Sequence, residues 1–303
     1  MSPAYRVPDS LDEAVALIGE HGPAATVLAG GVTFASMMSA RRSNSDLPRL
    51  VVSLGRLSEL RGIRAQPDGL WIGAMTTHRE VERSSAVRSN HAVIADAFAR
   101  IGSVRIRNQA TLGGNLACGD PAFDPPVTLI ALDATVVVAG ADGTHREIPL
   151  DRLVRRGLDA SSRGSADIIV GVRVPPAPPG GRAWHWKVHA RSAAGRPIVI
   201  VAAAMQLDAD GRIDDVRIAL GAVAPTVIRA RRTEAALRGR QPTPDVVRDA
   251  SSFVAEEIDP ISDTFGSSGY KRQMARVWAC RALTAVSTQV DSASKSGRGR
   301  DTR

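Results

Sequence analysis

The chain has 303 residues, 44% of them hydrophobic and 23% charged, the make-up of a soluble globular protein long enough for two or three domains. No apolar run approaches the ~20 residues that cross a bilayer, and the N-terminus has no apolar signal core, so the expected location is the cytoplasm. The net charge is +8, but the basic residues are spread along the chain and aromatics make up only 4%, so a solvated Arg-rich surface is expected rather than a nucleic-acid site.

Ser10 and Glu13 form a capping-box signature ahead of Leu11, Ala14, Val15 and Ile18, which recur at helical spacing, and Gly22 stops that helix. Residues 26–29 read as a short strand that meets Gly30-Gly31. A helical pattern follows from Thr33 through Met38, and residues 50–54 are the next strand, which makes 1–55 a small α/β unit. Residues 70–74 predict a strand, Thr76 or Thr77 the cap of a short helix carrying Val81, and residues 91–101 an amphipathic helix. Beyond a Gly- and Pro-rich loop come a short helix at 126–132, a buried strand at 134–139, a hairpin turn at Asp142-Gly143 and a strand at 167–174. These complete a middle α+β unit, 56–175.

The Pro-rich stretch 175–181 is the strongest boundary in the chain. After it the pattern changes to antiparallel strands at 184–189, 198–207 and 212–220. Helices are expected at 229–237, 244–258 and 269–290, so 182–290 forms a C-terminal unit. Residues 291–303 read as a disordered basic tail.

Two glycine pairs carry the chemistry. Leu28-Ala29-Gly30-Gly31-Val32-Thr33 lies between a strand and a helix. Without Cβ atoms its backbone can turn sharply, and its amides, with the positive end of the helix, suit an anion such as pyrophosphate. A Gly-Gly in such a turn also simply closes it. The second pair sits in Thr111-Leu112-Gly113-Gly114-Asn115, flanked by a hydroxyl and an amide. It is followed by Asp120-Pro121-Ala122-Phe123-Asp124-Pro125-Pro126, a loop stiffened by proline. Its carboxylates suit a ribose hydroxyl or an adenine contact; equally, Asp120 and Asp124 can cap the helix that follows. Neither pair matches the G-x-G-x-x-G fingerprint or a P-loop.

Cys118 and Cys280 are the only cysteines. Two thiols cannot hold an iron–sulfur cluster, so any redox centre of this chain is of another kind. Cys280 fits an apolar helical face as a core residue. The histidines lack metal-ligand spacing, and no Ser–His–Asp set is evident, so neither a metal site nor a catalytic residue is assigned. His185 and His189 read as a surface pair.

Ala-Gly-Gly, Thr-Leu-Gly-Gly-Asn and Asp-Pro-Ala-Phe-Asp, in this order, resemble the FAD-binding subunit of molybdopterin dehydrogenases. That family includes the carbon monoxide dehydrogenase medium subunit and the flavin domain of xanthine dehydrogenase. Leu220-Gly221-Ala222-Val223-Ala224-Pro225-Thr226 with Arg229-Ala230, and Ser262-Asp263 with Gly266-Ser267 and Tyr270-Lys271-Arg272, extend the likeness over residues 4–290.

The resemblance implies an α+β chain: a two-subdomain FAD-binding fold of the PCMH type, then a C-terminal subdomain of antiparallel sheet and helices. It implies FAD held by Ala29, Gly30, Gly31, Val32 and Thr33, by Thr111, Leu112, Gly113, Gly114 and Asn115, and by Asp124. Lys187 opens the basic cluster that the family places near the flavin ring. The stretch 187–197 departs from the family pattern in lacking an Asp after that cluster. The implied role is electron transfer from 2Fe–2S clusters on a small partner subunit, fed by a molybdopterin large subunit, to an external acceptor. The implied assembly is a dimer of heterotrimers. A flavin-free scaffold of the same fold and a stand-alone flavin oxidoreductase are the alternatives.

Overall fold

The computed structural model describes residues 3–40, 47–140, 142–156, 167–189 and 195–288. The expected tail, 291–303, and residues 190–194 of the basic stretch lie outside them.

The chain opens with β1 (Ala4–Arg6), α1 (Leu11–His21), β2 (Ala25–Leu28), α2 (Val32–Ala40) and β3 (Leu50–Ser53). Ser10 caps α1 by accepting from Glu13 N, but Glu13 accepts from Asp9 N at 2.9 Å, so the reciprocal bond lands one residue early. β3 lies between β1 and β2 and is parallel to both. A parallel neighbour needs a crossover, and α2 supplies the one from β2 to β3. β1 has no apolar pattern: all three of its residues are exposed.

A five-stranded antiparallel sheet follows, built from β4 (Ile63–Gln66), β5 (Gly69–Gly73), β6 (Thr135–Ala139), β7 (His145–Pro149) and β8 (Ile168–Val174) in the order β4-β5-β8-β6-β7. Between β5 and β6 run α3 (His78–Arg83), α4 (Ser85–Ala99), α5 (Val104–Gln109), α6 (Leu112–Cys118) and α7 (Asp124–Ala131); α8 (Leu150–Arg156) follows β7. Helix α4 starts at Ser85, capped by Ser84, and not at His91 as its periodicity predicts. His91 kinks it (φ −146°, ψ 79°) and reaches Pro175 O at 2.8 Å. The kink interrupts the 3.6-residue repeat, which hides the first turns. The segment read as a loop around the second glycine pair is helical, as α5 and α6.

Past residue 181 comes a four-stranded antiparallel sheet of β9 (Arg182–His189), β10 (Pro197–Leu207), β11 (Ile213–Gly221) and β12 (Ile228–Arg229). Helices α9 (Arg231–Leu237), α10 (Pro244–Ser252), α11 (Val254–Glu257) and α12 (Ser268–Thr288) pack on it. The single helix expected at 244–258 is split at Phe253. No described helix is long and apolar enough to cross a membrane.

Hydrophobic cores cross from one sheet to the next. Val52 and Ile18 share a core with Trp71, Val137 and Ile168 of the five-stranded sheet. Ile72, Phe98 and Val127 share another with Ile200 and Ala219 of the C-terminal sheet. Strand β9 is therefore covered on both faces. Trp184 and Trp186 pack towards α12 and stack with Trp278 at centroid distances of 5.8–6.5 Å. His185 and Lys187, on the alternate positions, are 6% and 8% exposed against α7. The expectation of a surface histidine pair fails for this reason: a strand with polar residues on one face looks solvated until a helix is seen to cover that face.

Candidate cofactor cleft

The first glycine pair forms the turn from β2 into α2. Gly31 has φ +75°, a left-handed conformation that side chains resist. Gly30 serves close approach: a Cβ there would lie 2.0 Å from Gln109 O. Ala35 N donates to Gly31 O at 2.8 Å. The amides of Val32, Thr33 and Phe34 precede that helical bond, at the positive end of α2. The turn thus has the backbone form that the sequence suggests for an anion site.

The second pair is built differently. Thr111 caps α6 and accepts from Gly114 N at 3.2 Å. Leu112 N donates to Thr76 O, Gly113 N to Ala74 O and Asn115 N to Thr111 O. All four amides are consumed inside the protein, so this loop is not an amide cradle. Its glycines provide contact instead. A Cβ on Gly113 would sit 2.6 Å from Ala74 Cβ, and one on Gly114 would sit 3.3 Å from Ala29 Cβ. The two glycine pairs therefore pack the two loops against each other.

Between them lies a cleft of about 480 Å³, lined by Ala29, Gly30, Gly31, Val32, Thr33, Thr111, Gly113, Gly114, Asn115 and Asp124. Leu112 is instead fully buried in the core, and Lys187 does not line the cleft. Val27 and Ile106 offer apolar surface there and are more than a third exposed. Open amides, a Cβ-free turn and apolar walls in one cleft suit a dinucleotide with a planar ring.

Asp124 is the most buried charged group of the cleft, at 3% exposure. It does not cap α7, whose N-cap is Phe123 without a side-chain bond. Lys187 Nζ meets its Oδ2 at 2.6 Å, and His185 Nε2 lies 3.2 Å from its Oδ1. Burial works to raise the carboxyl, but His185 and Lys187 overcome it and hold the group below the ordinary carboxylate range. Asp120 accepts both guanidinium nitrogens of Arg196 at 2.9 Å.

The sequence gives no signal for His78, which the structure places in the cleft wall at 1% exposure. Burial pushes its pKa down to about 4, against the opposing Thr111 carbonyl and Asp124 charge, so the imidazole is neutral at neutral pH. Cys118 also lines the cleft, and burial raises its thiol pKa. Cys280 is partly buried against the C-terminal core. Among the described residues no group of His, Cys, Asp and Glu could hold a metal ion.

The two C-terminal motifs have structural work. Lys271 Nζ binds Asp263 Oδ2 at 2.6 Å, Ser262 Oγ accepts from Ser268 N, and Arg272 donates to Ala255 O and Ile258 O, tying the loop before α12 to that helix. Ala222, at φ +64°, donates its amide to Pro121 O at 2.8 Å.

The chain is similar to known proteins over most of its length. Residues 1–177 match the FAD binding domain in molybdopterin dehydrogenase, and residues 184–286 match the CO dehydrogenase flavoprotein C-terminal domain. The chain is 32% identical to the carbon monoxide dehydrogenase medium chain of Hydrogenophaga pseudoflava, over 93% of this chain and 96% of that one. It is 27% identical to the xanthine dehydrogenase FAD-binding subunit of Escherichia coli O157:H7, over 93% and 94%. Among solved structures, carbon monoxide dehydrogenase from Hydrogenophaga pseudoflava lacking the Mo-pyranopterin moiety superposes with a TM-score of 0.87 at 33% identity, covering 94% of this chain and 97% of that chain. The chain belongs to the family of FAD-binding domains of molybdopterin dehydrogenases.

Proposed function

We propose that this chain is the FAD-binding electron-transfer subunit of a cytoplasmic molybdenum hydroxylase. It takes electrons from 2Fe–2S clusters on a small partner subunit and passes them to an external acceptor. A molybdopterin large subunit carries the substrate chemistry, and the assembly is a dimer of heterotrimers. The convergence of both glycine pairs on one cleft, with α2 aiming its N-terminal amides there, carries this reading. The cysteine count supports clusters on another chain.

FAD supplies the redox chemistry when bound, accepting and releasing electrons. The chain's residues bind and orient it. The amides of Val32, Thr33 and Phe34 are placed for pyrophosphate oxygens, and Val27 and Ile106 for apolar surface. Asn115 lines the same wall, and the neutral His78 adds no charge.

Fluorescence titration of the purified chain with FAD tests the binding step. A Gly114→Val substitution, whose side chain would grow into Ala29 and the Thr111 hydroxyl, should weaken binding at least tenfold. A chain that takes up no FAD would instead support the flavin-free scaffold. Turnover by the chain alone would support the stand-alone oxidoreductase. Affinity capture of the tagged chain from its source, with iron and molybdenum assayed in the captured complex, tests the partners.

A further inference from the structure

All described residues that line the cleft fall between Thr26 and Ile169, and none comes from the C-terminal sheet or its helices. That sheet nevertheless grips the 120–124 loop along its length. Arg196 takes both oxygens of Asp120, and Ala222 N donates to Pro121 O. Gly221 lies so close that a Cβ there would be 2.5 Å from Pro121 O. At the end of the loop, Asp124 has Lys187 on one carboxylate oxygen and His185 beside the other. The side chains of Asp124, His185 and Lys187 are 3%, 1% and 7% exposed, and Asp124 Oδ1 and His185 Nε2, both buried, lie 3.2 Å apart without hydrogen-bond geometry. Both of these partners of the carboxylate come from β9.

We propose that His185 and Lys187 are positioning residues for the cofactor cleft, holding Asp124 from behind so that β9 shapes a cleft it does not line. This inference rests on the FAD reading above. The physical ground is that a buried carboxylate is held ionised only while its partners remain. Loss of Lys187 leaves an uncompensated buried charge, and loss of His185 removes the polar group beside Oδ1; the 120–124 loop relieves either by moving. That loop starts α7 and ends at the cleft, so its movement reaches the cofactor. Arg196, 48% exposed on its side chain, is a weaker partner of the same loop.

The test is FAD affinity, with the visible circular dichroism of the bound flavin as a second readout, in the full chain and in His185→Phe, His185→Gln, Lys187→Met and Arg196→Ala. His185→Phe should bind FAD about tenfold more weakly and change the flavin spectrum, while His185→Gln, which keeps a donor towards Asp124, should return to within about threefold with the parental spectrum. Lys187→Met should lose more than about tenfold, and Arg196→Ala about threefold with an unchanged melting temperature of the flavin-free protein. Parental affinity and spectrum in folded His185→Phe and Lys187→Met would overturn the proposal. If those two do not fold, His185→Asn and Lys187→Gln, milder changes at the same positions, decide, and parental affinity and spectrum in both overturn it. If the unsubstituted chain binds no FAD, the FAD reading itself falls, which sets that failure apart from this one.

Discussion

The two glycine pairs look alike in sequence and do opposite things with their backbone. At Gly30-Gly31 the amides that begin α2 precede its first helical bond, at the positive end of the helix dipole. At Gly113-Gly114 the amides of residues 112–115 are all spent on protein oxygens: Thr76 O, Ala74 O, the Thr111 hydroxyl and Thr111 O. The first pair leaves the amides that begin α2 outside its helical ladder, and the second lets a helix sit tightly on β5 and on the first loop. A Gly-Gly motif is therefore weak evidence for anion binding until its N–H groups are accounted for one by one.

The largest effect is expected where the two loops touch. Gly30→Ala puts a methyl 2.0 Å from Gln109 O, a backbone atom that cannot rotate away. The loops must separate, and FAD affinity should fall by about a hundredfold or more, alongside a stability loss of roughly 1–3 kcal/mol. An affinity within threefold of the parent in a fluorescence titration would show that the cradle does not depend on the second loop.

His78 sits between the two loops, its amide bonded to Ala110 O and its ring in the cleft wall. Its pKa is depressed from 6.5 to about 4, so the folded state binds fewer protons than the unfolded one. The stability this contributes is present above pH 6.5 and is lost as the pH falls through 4, a change of about 3 kcal/mol. Melting temperatures across that window should drop steeply for the parent and more shallowly for His78→Phe, which keeps a ring against Phe98. Equal slopes would place the titrating group elsewhere, and not at Asp124, whose depressed pKa puts its loss below that window.

Thr111→Ala should have the smallest effect. It removes the cap of α6 and costs about 1 kcal/mol by chemical denaturation. If the second loop serves packing, FAD affinity falls only a few-fold. A loss beyond about tenfold would mean that the Thr111 hydroxyl serves the cofactor directly, and the contrast between the loops would weaken.

Much of the fold was legible because its signals are local. The Ser10 cap, the Asp142-Gly143 turn and the alternation in β10 and β11 follow from nearest-neighbour geometry. The proline-rich break at 175–181 is of the same kind, since proline fixes its own backbone angle. β1 was not legible, as its three exposed residues owe their strand to pairing with β3. Helices α5 and α6 were hidden by the glycines within and beside them, which favour turns unless tertiary bonds hold them helical.

The site divides in the same way. By itself the sequence determined that two glycine pairs and a proline-stiffened acidic loop exist, because residue identity and spacing decide such matters. Only the tertiary structure decided which amides stay open and that Leu112 turns inward. It also decided that His78 is a neutral wall residue and that Lys187 and His185 stand behind Asp124. Burial and pairing depend on what lies across the fold, and β9 is more than fifty residues from the loop it holds.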